Sequence, residues 1–570
     1  MKPSLPPQIA AEVRAATEDW TRTGKVARLW NHDKTLWTDA DEDKWLGWLD
    51  VADRQLEQKQ LFADIAKQAK AGGYRDAVVL GMGGSSLCPE VLSITFGRQE
   101  GFPALHVLDS TDPAEVKAIE TLADPKTTLY IVSSKSGSTL EPNIFKQYFF
   151  EKARGTGDLV AGGLNANAGS RFIAVTDPGS KMEQVAKADG FSRICYGVPS
   201  IGGRYSALSD FGMVPGAVAG LDIPKLLERA AHMAKLCREP DAAKNPGVSL
   251  GLALGTLAKH GHDKITLIAS PAIYDLGAWL EQLIAESTGK IGRALIPVDR
   301  EPAASPEVYG NDRTFVYIRF TPEIESTQED AVAKLERAGH PVIRIDVGDP
   351  YDLGAEFFGW EIAVPVAGAV IGINPFDQPD VEASKIATRK LTDEYEKTGK
   401  LPPESPILEA DGMKFFTDAR NAAQLSGKTA VEMLRSHLNR LGAGDYFALL
   451  GYIQMNAEHE KDLQEIRLDV RDKKRVATCL GFGPRFLHST GQAYKGGPNS
   501  GVFLQVTCDD AHDIPIPGQK FTFGIVKAAQ ARGDFDVLAE RERRALRVHL
   551  PADLRSGLAT LGKAIMEALN

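Results

Sequence analysis

Two turns rich in glycine, serine and threonine carry the most specific chemistry in this sequence. Residues 81–86 read GMGGSS and residues 133–139 read SSKSGST, and each turn lies between an apolar run and a helical pattern. Glycines allow backbone N–H groups to close around an anion, and the N-terminus of the next helix adds partial positive charge. Hydroxyls and a lysine suit the three acceptor oxygens of a phosphate monoester. Together the turns predict a phosphate-binding site.

The same region also leaves a dinucleotide site open as an alternative. A dinucleotide-binding turn has glycine at its sixth position, where this chain has Ser86, while Asp109 at the end of the next strand is a candidate ribose ligand. An NAD(P)-dependent dehydrogenase therefore stays possible. Residues 427–429, GKT, resemble the end of an ATP-binding loop, but Ala422 stands at the required glycine position and no strand precedes it. We expect a helix start there.

Apolar strands alternate with amphipathic helices over most of the chain, which is typical of parallel sheets covered on both faces. The strands predicted in a first region are DAVVL (76–80), ALHVLD (104–109), TLYIVSS (128–134) and RFIAVTD (171–177). Those of a second region are KITLIAS (264–270), RTFVYIRF (313–320) and HPVIRIDV (340–347). Those of a third are RVATCLGFG (475–483), GVFLQVT (501–507) and KFTFGIV (520–526).

The length of 570 residues predicts several domains. A tryptophan-rich helical stretch precedes the first strand and is expected to pack onto the next domain, and the proline-rich linker KTGKLPPESPI (397–407) precedes the third region. The expected boundaries are an N-terminal helical segment (1–70), a first α/β domain (71–235), a second (236–400) and a C-terminal α/β domain (401–570).

The composition excludes several classes of protein. Lysine and arginine total 66 and aspartate and glutamate total 76, a net charge of −10, so nucleic acid is not an expected partner. The five cysteines are far apart without a CxxC pair, so we expect reduced thiols rather than disulfides or a zinc site. No signal-peptide core or apolar run approaching 18 uncharged residues is present, so we expect no membrane association and a cytoplasmic location.

Six motifs resemble the glucose-6-phosphate isomerase (phosphoglucose isomerase) family over about residues 70–390. In chain order they are GMGGSS, SSKSGSTLEPN, VTDPGSK, GGRYSALSDFG, AESTGK and GINPFDQPDVEASK. The terminal parts are similar to the isomerase half of bifunctional transaldolase/glucose-6-phosphate isomerases, with no room for the transaldolase barrel. The resemblance implies two doubly wound parallel-sheet sugar isomerase (SIS-like) domains in series, with an N-terminal helical segment and an additional C-terminal α/β part.

The resemblance also implies a reaction and a set of site residues. The reaction is reversible isomerisation of glucose 6-phosphate and fructose 6-phosphate, with a sugar phosphate as the small-molecule partner, no cofactor or metal, and a possible homodimer. Gly84, Ser85, Ser134, Lys135, Ser136 and Thr139 would bind the phosphate, Gln378 would line the site, Glu286 would be the base, Arg204 would stabilise an enediolate, and Lys385 would assist ring opening. A non-catalytic sugar-phosphate-binding regulator is the other alternative, although it would need neither Glu286 nor Lys385.

The chain departs from the family at the histidine used for ring opening. Between the base and the FDQ segment the chain has only His340, which enters a strand and looks structural, and Glu307 stands near the place expected for the histidine. Residues 487–492, LHSTGQ, resemble a family segment but lie out of order. Our hypothesis is that His488, from its own chain or a partner's, supplies the ring-opening role; the alternative is an ordinary loop histidine.

Overall fold

The computed structural model describes residues 2–154 and 168–570. It begins with the strand β1 (Lys2–Ser4) and the helices α1 (Pro7–Arg22), α2 (Lys25–Trp30), α3 (Val51–Glu57) and α4 (Lys59–Ala71). The indole N–H groups of Trp30 and Trp37 donate to the backbone carbonyls of Cys237 and Pro365, at 2.9 and 2.8 Å. These two contacts lie in the region after residue 235, whereas the ring of Trp48 stacks on Tyr205, at 5.3 Å, in the next domain as predicted.

The first α/β unit is built on a sheet of five parallel strands in the order β3-β2-β4-β5-β6. Its strands are β2 (Asp76–Leu80), β3 (Ala104–Leu108), β4 (Thr128–Ser133), β5 (Phe172–Thr176) and β6 (Arg193–Tyr196). Its helices are α5 (Leu87–Phe96), α6 (Pro113–Leu122), α7 (Leu140–Arg154), α8 (Lys181–Ala188) and α9 (Asp210–Val218). The central strands β4 and β5 are buried throughout, which explains their continuous apolar runs.

The second α/β unit has a sheet in the order β1-β10-β9-β7-β8, in which only the N-terminal strand β1 is antiparallel to its neighbour. Its strands are β7 (Lys264–Ala269), β8 (Ile296–Val298), β9 (Arg313–Phe320) and β10 (Val342–Val347). Its helices are α10 (Ile223–Leu236), α11 (Pro246–Lys259), α12 (Leu276–Thr288), α13 (Ser326–Arg337), α14 (Leu353–Ile371) and α15 (Pro379–Thr398).

Helix α14 is the most apolar helix of this unit. Among the described residues, the segment Pro350–Ile371 is long and apolar enough to span a bilayer by length and composition, with a mean hydropathy of 1.3. However, 78% of its most apolar window is buried inside the protein, and α14 contacts α10, α11 and α12. It is therefore a core helix around which the second unit packs.

The third α/β unit has a six-stranded sheet in the order β11-β12-β16-β15-β13-β14, parallel from β16 to β14 and antiparallel at β11 and β12. Its strands are β11 (Leu408–Ala410), β12 (Met413–Phe416), β13 (Tyr446–Tyr452), β14 (Ala477–Phe482), β15 (Gly501–Cys508) and β16 (Arg544–Leu550). Its helices are α16 (Ala419–Ala422), α17 (Ala430–Leu438), α18 (Ala457–Lys474), α19 (Gly491–Gly496), α20 (Phe523–Glu540) and α21 (Leu554–Leu569).

The strand predicted at KFTFGIV (520–526) is wrong, because this segment is the start of helix α20. The Thr522 side chain caps the helix by accepting a hydrogen bond from the backbone N–H of Ile525, at 3.2 Å. Phe521 and Phe523 are both buried, and the ring of Phe523 stacks on Phe145 of α7 at 6.1 Å. Burial of two aromatic residues on either side of an N-cap produces the same alternation as a strand.

The three sheets share one order for their first four parallel strands, with the second strand outside the first and the third and fourth on the other side. The predicted fold of doubly wound α/β units in series is confirmed. In such sheets, ligands bind beyond the carboxyl ends of the strands where the order reverses. In the first unit this point lies between β2 and β4, directly before the two turns predicted to bind phosphate.

Candidate active site

A cavity of about 270 Å³ opens at the carboxyl ends of β2 and β4. All eleven residues singled out from the sequence line it: Gly84, Ser85, Ser134, Lys135, Ser136, Thr139, Arg204, Glu286, Gln378, Lys385 and His488. They come from all three α/β units, since Glu286 lies on α12, Lys385 on α15 and His488 between β14 and α19. The cavity is thus a place where the three units meet.

The SSKSGST turn forms one wall of this cavity. The Ser134 side chain is buried, and its hydroxyl has no hydrogen-bond partner within residues 2–154 and 168–570. Ser136 and Thr139 stand before the first residue of α7, where backbone N–H groups have no helical partners. The Lys135 ammonium is held at the rim by Asp177 and by the carbonyl of Pro199, at 3.2 Å. This wall therefore offers several hydrogen-bond donors to an anion.

Glycine is required at two points of the turns because of close packing. A Cβ atom on Gly84 would lie 2.0 Å from the carbonyl oxygen of Gly203, so the GMGGSS turn and the GGRYS turn pack backbone against backbone. Gly137 has a φ of +67°, and a Cβ atom there would lie 2.2 Å from the backbone nitrogen of Met182. Either position with a larger residue would displace the wall of the cavity.

Glu286 and Arg204 face each other on the opposite wall. Glu286 lies in the last turn of α12, and only 8% of its surface is exposed. Its Oε1 atom lies 3.3 Å from Arg204 Nη1, and its Oε2 atom accepts a hydrogen bond from Gln282 Nε2 at 3.1 Å. A carboxylate in this position is held in place while remaining at the cavity surface.

The guanidinium of Arg204 is fixed by several acceptors. It donates to the Ser287 hydroxyl at 2.8 Å, to Gln378 Oε1 at 2.9 Å and to the Pro375 carbonyl at 2.7 Å. Arg204 itself is 2% exposed, so its planar cation is held rigidly in a largely desolvated place. Such a cation can stabilise negative charge that develops on a neighbouring oxygen.

His488 reaches the cavity from the third unit of the same chain. Its Nε2 atom lies 3.3 Å from Glu141 Oε1, and its backbone carbonyl accepts a hydrogen bond from Gln282 Nε2 at 2.8 Å. Burial alone would raise the pKa of Glu141, but the facing His488, together with the Glu141 backbone N–H and Lys385, outweighs burial and lowers it. Glu141 Oε1 also accepts a hydrogen bond from Gln530 Nε2 at 2.6 Å, so the carboxylate that faces His488 is itself positioned.

The segment that carries His488 is clamped to the other two units. On one side Arg485 makes ion pairs with Glu90, at 2.6 Å, and with Asp109, at 3.0 Å. On the other side the Gln492 amide oxygen accepts from the backbone N–H of Asp380, at 2.9 Å. The Asp109 carboxylate also accepts from Ser86, so the residue proposed for a dinucleotide ribose is engaged in the protein interior. This arrangement argues against the dehydrogenase alternative.

Three residues that contact the side chains or backbone of this site were not predicted from the sequence: Glu141, Gln282 and Lys290. Glu141 belongs to the SSKSGSTLEPN motif and Lys290 to AESTGK, so both stood within recognisable segments, whereas Gln282 gave no signal beyond its helix. The Lys290 ammonium donates to the carbonyl of Asn374 at 2.6 Å, and burial, with the nearby Arg204, lowers its pKa to about 7. Their function depends on contacts that only the folded chain creates.

The two other residues considered for ring opening are not among the residues that line the cavity. The His340 ring packs edge-on against Phe315 and Tyr309, with ring centroids at 5.4 and 6.2 Å. The structural role expected for His340 fits this packing. Glu307 lies in a short 3₁₀ turn, Pro306–Val308.

The fold of serial doubly wound α/β units is shared with solved structures. A hypothetical protein from Thermus thermophilus aligns with a TM-score of 0.56 and 23% identity, covering 68% of this chain and 99% of that one. A glucose-6-phosphate isomerase structure from Chlamydia trachomatis aligns with a TM-score of 0.52 and 20% identity, over 65% of this chain and 78% of that one. These similarities define the fold.

Sequence comparison defines the family. The family model described as phosphoglucose isomerase matches residues 53–311. Glucose-6-phosphate isomerase from Rubrobacter xylanophilus is 30% identical over 385 residues, which are 59% of this chain and 86% of the relative. The enzyme of the same name from Methanocaldococcus jannaschii is 27% identical over 357 residues, 56% of this chain and 85% of the relative. The chain belongs to the phosphoglucose isomerase family.

Proposed function

We propose that this chain interconverts glucose 6-phosphate and fructose 6-phosphate in the cavity described above, with Glu286 as the base. The observation that carries this assignment is the Glu286–Arg204 pair, which lies across one small cavity from the hydroxyl-rich turn. A carboxylate at the site of proton transfer and an anion-binding turn in the same cavity are what an aldose–ketose isomerase acting on a sugar phosphate requires.

The proton transfer needs one carboxylate that takes a proton from C2 and returns it to C1. In our proposal Glu286 performs both steps with Oε1, which lies 3.3 Å from Arg204 Nη1, while Gln282 donates to Oε2. The enediolate formed between the two steps places negative charge on the C1 and C2 oxygens. Arg204, which is held by Ser287 and Gln378, stabilises that charge without having to move.

Ring opening precedes proton transfer because the sugar is bound in its cyclic form. We assign this step to His488 and Lys385, which line the same cavity. With Nε2 of His488 on Glu141, the other ring nitrogen exchanges the proton with the sugar, and Lys385 stands at the ring oxygen. Every side chain in this assignment belongs to one chain, so the proposed site does not need a partner subunit. The possible homodimer stays a prediction.

The test is conversion of fructose 6-phosphate, coupled to glucose-6-phosphate dehydrogenase and NADP. We expect a clear rate from the unmodified chain and a loss of at least about a thousandfold for Glu286→Gln, because the amide cannot accept the proton. Glu281→Gln is the matched control, since Glu281 lies on the same helix and lines a different cavity. This control should retain most of the activity.

The regulator alternative predicts a different pattern. A folded chain that binds fructose 6-phosphate but converts none of it would support a sugar-phosphate-binding regulator. Equal rates for Glu286→Gln and the unmodified chain would show that another group acts as the base.

A further inference from the structure

The third unit has a cleft at the place that corresponds to the proposed phosphate site of the first unit. Its parallel strands follow the same order, so its reversal point lies between β13 and β15. A cleft of about 220 Å³ opens there, lined by Tyr452 at the end of β13 and by Thr507 and Cys508 at the end of β15. Clefts beyond the carboxyl ends of strands at such a point are preferred ligand sites. This cleft is separate from the cavity with Glu286 and shares no lining residue with it.

The cleft has buried cations at its floor. Lys527 is 3% exposed and Arg547 is 4% exposed, and both line the cleft together with Lys414 and Arg532. Glu404 and Asp510 also line the cleft, and Asp112 pairs with Lys527 from outside it. A group of buried cations in a partly desolvated cleft attracts an anion.

The ion pairs do not satisfy all of these cations. Lys527 is paired with Asp112, at 2.9 Å, and with Asp510, but Arg532 and Arg547 share the single carboxylate of Glu404, each at 2.6 Å. The Nε atom of Arg547 is buried and has no hydrogen-bond partner among residues 2–154 and 168–570. A buried donor without a partner is costly, so an acceptor in the cleft would stabilise this arrangement.

Glu404 belongs to the linker between the second and third units rather than to the wall of the sheet. Its side chain is 31% exposed, so its carboxylate reaches the two arginines from the rim of the cleft. Guanidinium groups bind carboxylates and phosphates with the same planar fork of N–H donors. The linker carboxylate thus occupies a place that suits a ligand oxyanion.

We propose that this cleft is a second binding site, specific for a small phosphate monoester, in which the ligand phosphate binds Arg532, Arg547 and Lys527. Arg532 and Arg547 share the one carboxylate of Glu404, and a phosphate dianion matches two guanidinium groups better than a single carboxylate does. The cleft is also close in volume to the cavity that contains Glu286, so a molecule of similar size fits. The Thr507 hydroxyl, which lies 2.9 Å from His549 Nδ1, also lines the cleft.

Cys508 provides a local readout for this site. It lines the cleft and is partly exposed, whereas the other four cysteines, Cys88, Cys195, Cys237 and Cys479, are buried. The experiment measures alkylation of Cys508 by N-ethylmaleimide in the complete chain, by mass spectrometry, at increasing concentrations of inorganic phosphate. We expect phosphate to slow the modification to a saturating limit. The same phosphate series, run as inhibition of isomerisation, reports binding in the other cavity.

Two variants and one control separate the possible outcomes. Arg547→Met should raise the phosphate concentration for half-protection of Cys508 at least tenfold, while the inhibition of isomerisation by phosphate stays unchanged. Glu404→Gln removes the competing carboxylate and should lower the phosphate concentration for half-protection by up to about fivefold. Arg544→Met is the matched control, because Arg544 is on the same strand, pairs with Asp445 and does not line the cleft. In this control, phosphate should protect Cys508 from alkylation as it does in the unmodified chain.

Two results would overturn the proposal. One is a constant alkylation rate of Cys508 at phosphate concentrations that saturate the inhibition of isomerisation. The other is protection that Arg547→Met leaves unchanged. If Arg547→Met does not fold, Glu404→Gln decides: a phosphate dependence identical to that of the unmodified chain would contradict the proposed role of the arginine pair.

Discussion

Replacing Glu141 by glutamine tests how the third unit contributes to ring opening. Glu141 Oε1 lies 3.3 Å from His488 Nε2 and accepts from Gln530 at 2.6 Å, and the side chains of Glu141 and His488 are 6% and 11% exposed. The substitution keeps the shape of the side chain and removes its negative charge. The imidazole of His488 would then lose the charged acceptor that orients it.

The size of the effect follows from the burial of this pair. A hydrogen bond to a charged group contributes about 1.5–3 kcal/mol, which corresponds to a factor of about 10 to 150 in a rate that depends on it. Because only ring opening uses His488 in the proposed mechanism, this loss should fall on cyclic substrate. Proton transfer by Glu286 should be unaffected, because Glu286 is held by Gln282 and Arg204 instead.

The assay compares two substrates in the same enzyme variant. Fructose 6-phosphate is mainly cyclic, whereas 5-deoxyfructose 6-phosphate lacks the hydroxyl needed for ring closure and stays open. Conversion of the first is followed with coupled NADP reduction, and exchange of the C1 hydrogen of the second is followed by NMR in D₂O. The rate of Glu141→Gln should fall about ten- to hundredfold on the cyclic sugar and less than about twofold on the open one.

Glu151→Gln is the control, since Glu151 lies on the same helix and makes an exposed ion pair with Arg154. Its rates should match those of the unmodified chain on both substrates. Equal losses on the cyclic and open sugars for Glu141→Gln would refute the reasoning, because they would mean that Glu141 supports the whole cavity rather than ring opening. Unchanged rates on both would show that the pairing with His488 has no catalytic role.

Two further predictions concern the glycine turn and a buried carboxyl group. Gly84→Ala should raise the KM for fructose 6-phosphate at least tenfold in steady-state assays, because its Cβ atom would lie 2.0 Å from the carbonyl oxygen of Gly203; an unchanged KM would show that the turns can separate. Burial, opposed by a hydrogen bond from Gln55, raises the pKa of Asp210 from 3.8 to about 6. Between pH 4 and pH 6 the carboxyl group of Asp210 therefore keeps its proton in the folded chain but loses it in the unfolded chain. The free energy of unfolding falls by up to about 3 kcal/mol as the pH rises from 4 to above 6. The variant Asp210→Asn should not lose stability in this way, so its melting temperature relative to that of the unmodified chain should rise from pH 4 to pH 7. A difference in melting temperature that does not change with pH would contradict the assigned pKa.

Several strands with continuous apolar runs could be predicted from the sequence, because a strand buried on both faces has a composition of its own, but β13, whose seven residues are all buried, was missed. DAVVL and RTFVYIRF match β2 and β9 residue for residue. The edge strand β1 and the three-residue strand β8 were missed, since strands of three residues lack a recognisable period. KFTFGIV was misassigned because alternation over a few residues does not distinguish a strand from an N-capped helix.

The sequence by itself determined the family and the motifs that carry the turns predicted to bind phosphate and the proposed base Glu286, because these depend on residue types at short spacing. Only the tertiary structure decided that His488, which we propose for ring opening, reaches the cavity. His488 and Glu141 are 347 positions apart, and their contact depends on the docking of the third unit through Arg485 and Gln492. Docking of this kind results from complementary buried surfaces and charges on separate units. No local pattern in the chain encodes it, so the partner of His488 becomes visible only once the chain is folded.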